Sequence, residues 1–253
     1  ILKTARCLEF KDPAVRKIAA DNLKKIGVEG LVVIGGDGSF TGAKLLSDEH
    51  GINVVGIPGT IDNDLAYTDY TLGFDTAVNT VLWAINALRD TMTSHDRVSL
   101  VKVMGRRCGD IALYAGICGG AEYILVPEVP YDIQKIANEI KNNREHGKTA
   151  NVIVLAEGAG NENEIKTIVS VISGTDVKVT TLGHIQRGGS PSMADRMLAA
   201  KFGVHAVDLL LQGKTNRVIG CHGRETIDLD ITEALAMKKD IDKNLYDMAA
   251  KLC

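Results

Sequence analysis

Short runs of β-branched and apolar residues, most of them closing on glycine, proline or an acid, alternate along this chain with longer amphipathic stretches. That alternation constrains the fold more than any other feature. Strands are read at 31–34, 53–57, 98–103, 123–126, 151–155 and 177–182, with helical patterns between them. Asp12 before Pro13 places an N-cap and a first-turn proline at the head of a helix reaching Ile26, closed by Gly27. Residues 75–89 and 132–144 read as amphipathic helices. Ser190 and Pro191 repeat the cap signal before a helix that reaches Leu211 and ends at Gly213. Such alternation predicts α/β architecture, with mostly parallel sheets covered by helices and ligands bound beyond the carboxyl ends of the strands. No composition shift marks a domain boundary.

Charge narrows the function classes. The 253 residues carry a net charge of −3, which speaks against a nucleic-acid surface that would be strongly basic. No apolar run approaches the length of a membrane-spanning helix, and no leader pattern is visible. Cys7, Cys108, Cys118, Cys221 and Cys253 are scattered and odd in number, so reduced thiols in a cytoplasmic protein are expected.

The chemistry concentrates at strand ends. The run 31–34 enters Gly35-Gly36-Asp37-Gly38-Ser39, where glycines let backbone N–H groups approach anionic oxygens and the following helix, expected from about Thr41, points its positive end at the same place. Asp37 cannot attract phosphate, but it can hold Mg²⁺ that bridges phosphate oxygens. The spacing is neither GxxxxGK[ST] nor GxGxxG. One β-α unit later comes Pro58-Gly59-Thr60-Ile61-Asp62-Asn63-Asp64, in which crowded carboxylates can tune one of their number as a general base or share a metal; an Asx-rich turn is the bland alternative. Met104-Gly105-Arg106-Arg107 and Gly183-His184-Ile185-Gln186-Arg187-Gly188-Gly189 set arginines beside glycines at two further strand ends, where guanidinium forks clamp phosphate.

In combination these segments resemble the phosphofructokinase family over essentially the whole chain. The resemblance implies transfer of the γ-phosphoryl of MgATP to the 1-hydroxyl of fructose 6-phosphate, by two doubly wound α/β domains with the active site in the cleft between them. A larger ATP-binding domain would comprise 1–73 and 186–236. A smaller sugar-phosphate domain would comprise 74–185 and 237–253. Asp62 resembles the base, with Thr60, Asp64 and Arg106 at the reacting centre. Arg6, Cys7, Gly36, Asp37, Gly38 and Ser39 match ATP contacts, with Asp37 also the Mg²⁺ contact. Thr60, Ile61, Asp62, Arg97, Met104, Gly105, Arg106, Glu157, Lys178, His184, Ile185, Gln186 and Arg187 match substrate contacts. Arg97 and Lys178 belong to the set that reaches a neighbouring subunit's site in a homotetramer. Arg89, Gly120, Glu122 and Lys148 match allosteric-effector contacts, and His146 stands where lysine is frequent.

Two alternatives follow. Pyrophosphate-dependent members usually carry Asp at the Gly38 position and Lys at the Gly59 position; both are glycine here, which favours ATP. A non-catalytic regulatory form is the other, because the family's opening strand and its GGDxPGxN loop have no counterpart downstream of Ile1. The chain is therefore expected to lack an N-terminal segment. Lys178 departs from the family's usual arginine, keeping the charge and losing the fork.

Overall fold

The computed structural model describes residues 5, 7–92, 97–148 and 150–252. In chain order the elements are α1 (Pro13–Lys25), β1 (Leu31–Gly35), α2 (Asp37–His50), β2 (Val54–Pro58), α3 (Phe74–Met92), β3 (Val98–Val103), α4 (Asp110–Cys118), β4 (Tyr123–Leu125), α5 (Ile133–Glu145), β5 (Asn151–Ala156), α6 (Glu162–Ser173), β6 (Val177–Thr181), α7 (Met193–Leu211), β7 (Arg217–His222), β8 (Glu225–Asp230), α8 (Ile231–Ala236) and α9 (Lys243–Leu252). Two short 3₁₀ turns, Leu8–Lys11 and Gly183–Arg187, complete the list. The chain divides into two compact units. Ile1–Gly59, Leu65–Thr71 and Met197–Lys238 form the first; Thr60–Asp64, Leu72–Arg196 and Lys239–Cys253 form the second. Residues 186–196 thus group with the second unit rather than the first, and residues 60–64 leave the first unit as a short excursion.

The first unit is built on a four-stranded sheet of order β1-β2-β7-β8. β1, β2 and β7 run parallel, and β8 returns antiparallel to β7 around Gly223, whose φ of +57° suits glycine. β2 is buried along its whole length, as a central parallel strand with both faces covered must be. Gly56 on β2 has no room for a side chain: a Cβ there would lie 2.7 Å from the Phe40 ring of α2 and 2.8 Å from Val218 of β7. Phe40, Val54, Tyr67 and Val218 make up the centre of this core. The Asp12 cap is as expected, its Oδ1 accepting from Ala14 N at 2.8 Å. Arg16 on α1 is buried. Its guanidinium donates to Glu49 Oε2 at 2.7 Å and to the carbonyls of Phe10 and Lys11 at 2.8 Å, tying down the turn that follows Cys7.

The second unit holds an all-parallel sheet of order β4-β5-β3-β6. One core lies between the sheet and α3, α4 and α9, around Phe74, Val81, Val101, Ile111 and Val154. Another lies against α5 and α6, around Leu100, Ile140, Ile153 and Val169. Helices on both faces explain why β5 is buried along its whole length and β3 at every position but Lys102, rather than alternating.

Two helix starts differ from the sequence expectation. α2 begins at Asp37, not near Thr41, because Gly36 serves as the N-cap. α7 begins at Met193 rather than after Ser190: Asp195 reaches back from its first turn to Gly73 N at 2.8 Å and Thr76 N at 2.9 Å, satisfying the open end of α3, while Ser192 Oγ accepts from Asp195 N. Neither sequence-read cap, Ser190 or Pro191, is used. Among the described residues no helix is long and apolar enough to cross a membrane, and Cys7, Cys108, Cys118 and Cys221 are free thiols.

Candidate functional site

In the second unit, the loop after β2 and the loop after β3 come together. Asp62 is buried, and its Oδ1 has no hydrogen-bond partner among the described residues. Burial, then the neighbouring charge of Asp64, pushes its carboxyl up to about 6; Arg106 pulls the other way, Glu157 adds to the rise and Arg187 to the fall. A buried carboxylate with an unused oxygen and a pKa near neutrality has the properties of a general base. Thr60 Oγ1 accepts from Asp62 N at 3.2 Å, which fixes the backbone that carries it.

Arg106 lies beside this group. Its Nη1 is 3.1 Å from Asp64 Oδ2, and two-thirds of its side chain remains open to solvent, so the guanidinium keeps donors for a ligand. Its backbone sits in the left-handed region at φ +56°, after Gly105 at φ +132°, and its N–H donates to Glu157 Oε1 at 2.7 Å. Both glycines that frame the arginine are required sterically. A Cβ on Gly105 would stand 2.3 Å from Cys108 O, and one on Gly158 would stand 2.3 Å from Arg106 O. Glu157, at the end of β5, is held through its N–H to Val103 O at 2.9 Å.

The 3₁₀ turn Gly183–Arg187 follows β6 and presents His184, Ile185 and Arg187 outward. Gln186 faces inward and is buried; its Oε1 accepts from Met104 N at 3.2 Å and its Nε2 donates to Gly183 O at 3.0 Å. Gln186 therefore splints the Met104 loop to the His184 turn. Ile61 is partly buried and packs on the core.

Other expected residues bond to groups outside this cluster. Arg97 and Lys178 share Asp176 on the β6 side of the sheet, at 3.5 and 2.9 Å. Arg89 caps the end of α4 through Gly119 O at 3.1 Å and Gly120 O, while Lys148 stands 3.5 Å from Glu122, whose other oxygen accepts from Val152 N at 2.7 Å. Arg89 with Gly120, and Glu122 with Lys148, thus pair off in the second unit.

In the first unit, Gly36 caps α2 without a side-chain acceptor, and Asp37, Gly38 and Ser39 form the exposed first turn. That leaves the positive end of a 14-residue helix facing outward beside a carboxylate. A Cβ on Gly38 would meet nothing within 4 Å, so packing does not demand glycine there. Gly59 differs: a Cβ would lie 2.7 Å from Ile34 Cγ2, so packing alone accounts for it and the donor argument rests on Gly38. Cys7 is exposed just before the Leu8–Lys11 turn. Arg6 lies outside the described residues.

No group of three or more His, Cys, Asp or Glu side chains able to hold a metal occurs among the described residues. A divalent ion would take one carboxylate here and draw its remaining ligands from water and substrate, which is the habit of Mg²⁺. The sequence reading missed Asp195 and Asp110. The signal for each was an acid in a helix's first turn, which is too common to single out.

A family model described as phosphofructokinase matches residues 1–210. The chain is 58% identical over 249 residues to ATP-dependent 6-phosphofructokinase 1 of Clostridium perfringens, covering 98% of this chain and 78% of that protein. It is 57% identical over 252 residues to an ATP-dependent 6-phosphofructokinase of Clostridium botulinum, covering 100% of this chain and 79% of that one. Among solved structures, phosphofructokinase from Saccharomyces cerevisiae superposes with a TM-score of 0.86 at 32% identity, covering 98% of this chain and 36% of that longer chain.

Proposed function

Because the chain belongs to the phosphofructokinase family, we propose that it serves an ATP-dependent 6-phosphofructokinase, which moves the γ-phosphoryl of ATP to the 1-hydroxyl of fructose 6-phosphate. The observation that carries this is the buried, upshifted Asp62 next to an arginine with free donors. Asp62 accepts the hydroxyl proton as the new O–P bond forms. Arg106 shares the charge that accumulates on the equatorial oxygens, and Asp64 orients it. Thr60 steadies the turn. Met104, Gly105, Glu157, His184 and Arg187 hold the sugar phosphate, with Ile61, Ile185 and Gln186 shaping the surroundings. In the first unit, the open end of α2 and Gly36–Ser39 receive the nucleotide phosphates, together with Arg6 and Cys7. Asp37 would hold Mg²⁺, which supplies charge neutralisation on the phosphate oxygens when bound.

Finer points belong to the same reading. The enzyme is a cytoplasmic homotetramer in which Arg97 and Lys178 serve the neighbouring subunit's sugar-phosphate site, with Asp176 holding both until then. Arg89, Gly120, Glu122 and Lys148 bind an allosteric effector. The first unit is the ATP-binding domain and the second the sugar-phosphate domain.

A coupled assay with fructose 6-phosphate and Mg²⁺, run in parallel with ATP and with pyrophosphate, tests the donor. Turnover with ATP alone is expected. Turnover with pyrophosphate alone would replace the donor assignment, and tight ligand binding without turnover would make the protein a regulatory form.

A further inference from the structure

Asn63 sits between the two carboxylates of the base loop, and its side chain reaches a third carboxylate elsewhere in the chain. Its backbone is left-handed at φ +52°, a conformation asparagine tolerates better than most residues but one that needs support. The support is visible. Asn63 is buried, its Nδ2 donates to Asp110 Oδ2 at 2.8 Å, and its carbonyl lies 3.7 Å from the Cys108 thiol. Asp110 is itself buried, at the first residue of α4, and Lys239 Nζ stands 3.3 Å from the same Oδ2.

Asp110 is also joined to the arginine loop. Only Arg107, Cys108 and Gly109 separate it from Arg106, and two bonds brace that span: Cys108 N to Gly105 O and Gly109 N to Glu128 Oε1, both 2.8 Å. Asp110 therefore ties the base loop to the arginine loop: its carboxylate holds the Asn63 side chain, and its backbone follows Arg106 by four residues through a braced turn. We infer that Asp110 is a positioning residue that sets Asp62 against Arg106, with Lys239 as its counter-charge. The inference rests on the phosphoryl-transfer reading for its kinetic consequence, but not for its geometry. Small misplacement of a reacting group costs rate steeply, on the order of 10²-fold for about 1 Å.

The experiment compares Asp110→Ala, Asp110→Asn, Asn63→Gly and the Asp110→Ala/Asn63→Gly double variant in the full-length protein. Asn63→Gly removes the amide while leaving the left-handed backbone accessible, so it carries the test should Asp110→Ala not fold. We expect kcat for fructose 6-phosphate phosphorylation to fall roughly 10- to 100-fold in Asp110→Ala and Asn63→Gly, with KM for MgATP nearly constant. Asp110→Asn, which retains an acceptor for Asn63, recovers most of the rate. The double variant is no slower than the slower single, because both act through one contact. Asp62 titration, followed by carboxyl NMR, moves from about 6 toward 3.8 in either single variant as the turn loosens. Normal kcat per folded molecule in Asn63→Gly, or an unmoved Asp62 titration, overturns the inference. Wild-type protein without turnover, together with a moved titration, overturns the functional reading and leaves the positioning role standing.

Discussion

Replacing Asp62 by asparagine preserves size and removes one ionisable carboxyl. A positioned general base contributes on the order of 10²- to 10⁴-fold to rate, so kcat falls by about that factor. Stability moves the other way. The folded state holds the Asp62 carboxyl at about 6 against an ordinary 3.8, so between those pH values the folded chain binds more protons than the unfolded one. Stability from this group therefore falls as pH rises through that window, and the full penalty applies above it. At 1.36 kcal/mol per tenfold, the ceiling is about 3 kcal/mol. Solvent reaching the site screens part of it, so about 1–2 kcal/mol is expected at pH 7.5. Asp62→Asn should thus melt a few degrees higher than wild type at pH 7.5 and no higher near pH 4, while kcat/KM of the wild type declines on the acid side of about pH 6. Calorimetry at both pH values, alongside the coupled assay, measures each part. A variant with near-normal kcat, or one equally destabilised at both pH values, refutes the reasoning.

Three further outcomes are expected. Gly38→Asp should fold normally, because its Cβ enters open space, yet raise KM for ATP through the added negative charge; unchanged ATP kinetics would remove the donor argument. Lys178→Arg should lower KM for fructose 6-phosphate by supplying a fork in place of a point charge, and a flat or higher KM would contradict that role. Gly158→Ala sets a methyl 2.3 Å from Arg106 O, so kcat should drop by on the order of 10²-fold with the arginine displaced; wild-type kcat would show that the loop yields at no cost.

The parallel sheets were legible because most of β1 to β6 are short runs rich in Val, Ile and Leu that end at loop residues, and β3 matched its expected span throughout. β7 and β8 were not, since Arg217–His222 mixes charge with apolar residues and β8 alternates acids with Thr, Ile and Leu. Their pairing depends on a partner far away in sequence: β7 finds β2, with Val55 opposite Arg217. The start of α7 was missed for a similar reason, because Asp195 serves α3 across more than a hundred residues of chain. In the site, Asp62, Asp64 and Arg106 were readable as chemistry at strand ends, whereas Glu157 came only from the family resemblance. The work of Asn63, Asp110 and Gln186 was not, because a buried amide or carboxylate shows its purpose only through the group it faces.

The most direct test is ³¹P NMR of fructose 6-phosphate with MgATP, run on wild-type protein and on Asp62→Asn at equal folded concentration. The account predicts a new sugar 1-phosphate signal and ADP with wild type, and neither on the same timescale with the variant. Phosphorylation at equal rates by both proteins would contradict the assignment of the Asp62 cluster as the reacting centre.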